Sequence, residues 1–229
     1  MPAEYIGYMI IAGLLSLVGY AVQNRLKSVF RKYSKVGMRN GMTGAEVARE
    51  MLHHYNIQDV KIVQGRGYLT DHYNPSTKTV SLSEGVYNNR SISAAAVAAH
   101  ECGHAVQHAT SYNMLQMRST LVPVVQVASG MQQYLLLAAL FLMGTFPQLL
   151  LIAIAAFGVT TLFSLVTLPV EFDASKRALA WLNRSGITTR EEQKGAKKAL
   201  WWAAMTYVAA ALSSLVMLLY LVFRYMQSR

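Results

Sequence analysis

The stretch Ser93-Ala-Ala-Ala-Val-Ala-Ala-His100-Glu101-Cys102-Gly103-His104-Ala-Val-Gln-His108 decides the reading of this chain. Its alanines favour a helix. On a helix, residues four apart share a face, so His100 and His104 can grip one zinc ion, with Glu101 beside them as general base. H-E-x-x-H is short and recurs by chance. Its weight here comes from a helical setting, small flanking residues and a carboxylate available downstream.

That carboxylate must complete a ligand set, because catalytic zinc takes three protein ligands and leaves one position for water. Glu171, in Leu168-Pro-Val-Glu-Phe-Asp-Ala-Ser175, is the first candidate. Asp173 is the second. His108 is the third, although two helical turns carry it along the axis from His100. In the expected chemistry zinc activates a water, Glu101 takes the proton, a peptide carbonyl is attacked, and Glu101 passes the proton to the leaving amine. A further oxyanion donor is expected among His72, Tyr73 and Tyr87. The run Val80-Ser81-Leu82 is expected to pair with an extended substrate by strand addition.

Outward from the motif, hydropathy sets the architecture. The chain has 229 residues, 53% hydrophobic and only 14% charged, well below the quarter usual in soluble proteins. Residues 5–22 and 199–223 carry no charge, and none lies between Arg118 and Glu171. A membrane span needs about 20 predominantly apolar residues. Four transmembrane helices are therefore expected, at 5–23, 121–143, 148–170 and 200–223, with a turn near Gly144-Thr-Phe-Pro-Gln148. Gln126, Ser129, Gln132 and Gln133 make the second the most polar. The fold class is mainly α. The apolar run before His100 is too short to cross a bilayer, which argues against an enzyme cutting within the membrane.

The net charge of +10 reads as membrane topology and not as nucleic-acid binding. Arg25, Lys27, Arg31, Lys32, Lys35 and Arg39 follow the first span. Arg184, Arg190, Lys194, Lys197 and Lys198 precede the last. These are positive-inside signals, with added attraction to anionic lipid. They put residues 24–118 and 171–198 in the cytoplasm, the compartment a shared zinc site requires. The first span lacks a basic leader and reads as a retained anchor with its N-terminus outside. Cys102, the single cysteine, excludes an internal disulfide. The spans hold no ionisable residue, so nothing suggests a transporter.

Between the first span and the motif, Thr43-Gly-Ala-Glu46 is a capping box opening a helix to about His54. Val60–Val63 and Thr79–Ser83 alternate like short strands. Asp71-His-Tyr-Asn-Pro75 reads as a turn, and Ser91 or Ser93 caps the motif helix, expected over about 91–110.

With Asp71–Pro75, Val80–Ser83, Val86-Tyr87, Ala96–His108 and Leu168–Ser175 in this order, the chain resembles the YugP-like family of bacterial membrane-bound neutral zinc metallopeptidases. The resemblance covers nearly the whole chain. More distantly it is similar to the HtpX and CAAX-prenyl-protease metallopeptidases, which carry their third ligand in Glu-x-x-x-Asp. Glu171 matches the glutamate and Ser175 stands where the aspartate would be. The resemblance implies a small gluzincin-like zinc peptidase domain with a short β-sheet on membrane helices, in a bacterial inner or plasma membrane. One zinc ion per chain and a membrane-associated peptide or protein substrate are expected from the site chemistry; the resemblance supplies no substrate of its own. Quality control or processing of membrane proteins would suit such an enzyme. A noncatalytic zinc-containing scaffold is the competing reading, and an intact base and ligand set argue against it.

Overall fold

A computed structural model describes residues 3–142, 146 and 148–227; most of the expected turn at Gly144–Gln148 lies outside them. The order is α1 (Ala3–Tyr33), α2 (Gly44–His54), β1 (Lys61–Gly65), β2 (His72–Asn74), β3 (Thr79–Ser83), α3 (Glu84–Tyr87), α4 (Ile92–Ala109), α5 (Asn113–Leu142), α6 (Gln148–Arg184) and α7 (Arg190–Gln227). The chain divides into two compact units. One takes residues 1–22, 117–168 and 206–229; the other takes 23–116 and 169–205.

The first unit is helical. Helices α1, α5, α6 and α7 are each long and apolar enough to cross a membrane, and the best windows have mean hydropathies of 1.7, 1.3, 2.5 and 2.0. The value for α5 is the lowest, as its glutamines lead one to expect. Leu136, Ala139, Leu150, Ala153, Phe157, Met217 and Leu221 form a buried cluster. Met9, Leu14, Tyr134 and Phe141 are exposed. In water such a surface would be a liability, but against acyl chains it is the normal outer face of a bundle.

The second unit carries the chemistry. Thr43 and Glu46 cap α2 reciprocally, which satisfies donors that a helix start leaves unpaired. Ser91 caps α4 by accepting from the Ala94 amide at 3.3 Å. The sheet order is β1-β3-β2. Strand β3 runs parallel to β1, with Lys61 opposite Thr79, and antiparallel to β2, with His72 opposite Ser81. Val80 and Leu82 are fully buried, in one core with Val47, Met51, Trp181 and the alanines of α4. Because α4 is alanine-rich, its neighbours come close. At Gly103 an added Cβ would lie 2.6 Å from the Ala174 carbonyl oxygen of α6, so only glycine fits there.

Three expectations need correction. His72–Asn74 is a strand and not part of a turn, because β3 supplies it with a hydrogen-bonding edge. The helix that carries the third apolar stretch does not end before Glu171. Helix α6 runs on through Pro169 to Arg184, so Glu171 sits within a helix and not at the start of one. Helix interiors tolerate proline where neighbouring structure compensates for the lost bond. Finally, Val80-Ser81-Leu82 lies in the central strand. β1 pairs with it along its length and β2 covers Thr79–Ser81 on the other side. A substrate strand cannot be added at Val80 and Ser81, which are paired on both sides; Leu82 is paired to β1 alone.

Candidate metal centre

Helix α4 presents His100 and His104 on one face, their rings 4.8 Å apart between centroids and steeply inclined at 81°. Helix α6 brings Glu171 to them. Its Oε2 lies 3.2 Å from His100 Nε2 and 3.6 Å from His104 Nε2. Glu171 is only 2% exposed. All three ligand atoms lie within 4.8 Å of one another. Ligands about 2.1 Å from a tetrahedral ion stand roughly 3.4 Å apart, so the two carboxylate–imidazole spacings suit a zinc-sized cation.

The far sides of both imidazoles are held. His104 Nδ1 lies 3.0 Å from Gln107 Oε1. The Gln107 amide nitrogen donates to the Val170 carbonyl and to Asp173 Oδ2, each at 2.8 Å. With that nitrogen committed, Oε1 must accept from His104 Nδ1–H, which leaves the Nε2 lone pair aimed at Glu171. Ser175 Oγ meets His100 Nδ1 at 3.1 Å. Two imidazole nitrogens and a carboxylate converge in a buried space, the nitrogen and oxygen donor set that zinc takes, so the group fits zinc chemically as well as geometrically.

Glu101 is 7% exposed. Burial pushes its carboxyl above the ordinary range. The two histidines oppose that shift, while Glu171 and Asp71 add to it. A carboxylate moved towards neutrality is what a general base needs, and a bound dication would draw it back down. Asp71 accepts from the amide and hydroxyl of Ser83 at 2.7 and 3.0 Å, and its carboxyl is likewise pushed up by burial.

The other candidates stand as follows. Asp173 is not in the ligand group. It accepts from Gln107 and, at 2.5 Å, from Arg177 Nε. His108 is also outside it, with its Nδ1 2.8 Å from the Tyr73 hydroxyl. Burial, with Asp59 nearby, pushes that hydroxyl up to about 12. His72 is exposed and its Nδ1 meets the Thr70 carbonyl at 2.8 Å. Cys102 is buried with its thiol near the Ala48 carbonyl, and burial raises its pKa well above the usual thiol value. It is part of the buried core. Gln107 was missed by sequence reasoning. The available signal was its position three residues after His104, on the same helix face.

Two histidines from one helix, a glutamate from a second and a buried carboxylate beside them define the zinc-peptidase class of site. The comparisons agree. The family model described as "putative neutral zinc metallopeptidase" matches residues 8–226, and the chain belongs to that family. It is 45% identical over 212 residues, covering 93% of each chain, to "Putative membrane protease YugP" of Bacillus subtilis (strain 168). No solved structure matches it significantly. Zinc is thus the family's metal, and His100, His104 and Glu171 are a group that could hold it.

Proposed function

We propose that this protein is a membrane-anchored zinc endopeptidase in which His100, His104 and Glu171 hold one zinc ion per chain and Glu101 is the general base. The observation that carries the proposal is the meeting of Glu171 with both imidazoles of the motif, at 3.2 and 3.6 Å.

Zinc, when bound, supplies Lewis acidity: it acidifies water towards neutrality and polarises a carbonyl. The residues of the chain do the rest. Gln107 and Ser175 hold the ligand rings in register. Glu101, buried and without a hydrogen-bond partner among the described residues, accepts the proton of the attacking water and returns it to the departing amine. As the peptide bond breaks, the new carboxyl carries the water oxygen and the amine carries the transferred proton.

The substrate is a peptide or protein, itself membrane-associated, and the role is processing or quality control of membrane proteins. The enzyme sits in the plasma membrane of a bacterium with spans at 5–23, 121–143, 148–170 and 200–223. Its catalytic segments, 24–118 and 171–198, face the cytosol. The basic residues between Arg25 and Arg39 and between Arg184 and Lys198 support that orientation.

The test compares wild type with Glu101→Gln, both purified in detergent with zinc content matched. Each is incubated with an unstructured protein, and fragments are read by mass spectrometry. Wild type should cleave, and the variant should lose about 10²–10⁴-fold in rate. Equal cleavage by both would remove Glu101 from the base role. No cleavage by either at full zinc loading would favour the scaffold reading.

A further inference from the structure

On the second unit, α6 and α7 line a cavity of about 250 Å³. Its apolar walls are Phe172, Leu179, Leu200, Trp201 and Ala204, and Ser175, Lys176 and Lys197 also line it. Phe172 is 39% and Trp201 54% exposed, although both are large aromatics. Among the described residues no aspartate or glutamate lines the cavity. Among the described residues neither lysine has an ion-pair partner. An exposed apolar trough beside two unneutralised cations is poorly matched to water. It is well matched to a molecule that is apolar along its length and negative at one end.

Two observations identify that molecule. Helices α6 and α7 both carry candidate membrane spans, and the groove lies where those apolar stretches give way to charged residues; tryptophan with lysine is the pairing found where acyl chains meet headgroups. The cavity is also smaller than the roughly 300–1,000 Å³ of pockets that enclose drug-sized ligands. It has room for a segment of chain and not for a whole soluble ligand. Basic pockets between membrane helices bind anionic headgroups. A zwitterionic lipid brings its own cation and would gain little from the two lysines.

We infer that this groove is a binding site for an anionic phospholipid, with an acyl chain along Phe172, Leu179, Leu200 and Trp201 and the phosphate held by Lys176 and Lys197. The groove adjoins the metal group through Ser175, which lines it and also meets His100 Nδ1 at 3.1 Å, but the inference does not depend on the proposal above.

Tryptophan fluorescence of the full, zinc-loaded chain in mixed micelles tests it, with brominated phosphatidylglycerol and brominated phosphatidylcholine as quenchers. Trp181 is buried, and Trp202 lies under the Arg25 guanidinium, so Trp201→Phe isolates the reporting ring. The glycerol lipid should quench at a lower mole fraction than the choline lipid, by on the order of five-fold per lysine. Lys176→Gln with Lys197→Gln should erase that preference, and Lys176→Arg with Lys197→Arg should keep it. Equal quenching by the two lipids, or a preference that survives the glutamine pair, or a preference that is lost in the arginine pair, would overturn the inference.

Discussion

The His100 end and the His104 end of the candidate metal centre are built differently. At the His104 end, Gln107 is fully buried and bonds the imidazole, the Val170 carbonyl and Asp173, which in turn is held by Arg177. At the His100 end one hydroxyl, from Ser175, meets the ring. His100 is also the more exposed of the two histidines, with 12% of its side chain accessible against 8% for His104. One ligand is locked by a chained network and the other is braced at a single point. Substitutions at the two ends should therefore have unequal effects.

The largest effect removes both ends together. Glu171→Ala takes away the carboxylate common to both histidines, and elemental analysis of the purified protein should find little or no zinc. Retention of a full equivalent would mean the ligand set is wrong. Next comes Gly103→Ala. The new methyl meets backbone and not a flexible side chain, so it should cost about 1–3 kcal/mol of stability. Because it separates α4 from α6 as a whole, it should weaken zinc binding without distinguishing the ends. Thermal melts of the metal-free and zinc-loaded forms would show this.

The comparison itself rests on the two smaller effects. Gln107→Leu leaves His104 without its acceptor and strands the Asp173–Arg177 pair, so zinc affinity should fall towards the upper part of the 10–100-fold range seen for such partners. Ser175→Ala should fall at the lower end, about ten-fold. Competition with a zinc-binding dye gives both numbers. Equal losses, or a larger loss at Ser175, would end the claim that the two sides are held unequally.

Sequence patterns made part of this legible. A polar cap before an apolar-periodic run located α2 and α4, because capping is local chemistry. Long uncharged stretches located the apolar helices, because lipid accepts little else. The resemblance to a membrane zinc-peptidase family, drawn from motifs spread over the chain, agrees with the family match. What stayed hidden depends on distant partners. Gln107 looks like any helix polar residue until Val170 and Asp173 arrive from 63 and 66 positions away. His72–Asn74 is too short to show alternation, and only the edge of β3 makes it a strand. The uncharged stretch ends at Val170, yet the helix does not: α6 continues to Arg184, because charge marks where lipid ends and not where a helix does. Ser175 drew notice only because it occupies a position where related families place aspartate.

The close meeting of Gly103 with Ala174 has a further consequence. An ion held by His100 and Glu171, as proposed above, would join residues 71 positions apart, across a contact with no side chain to act as a spacer. In polymer terms it is a removable cross-link closing a long loop, and its strength adds to the folding free energy of the chain wherever the metal binds only the folded form. Chelation would then loosen α6 from α4 as well as silence the chemistry, and the supply of zinc in the cell would help set how long each molecule stays folded.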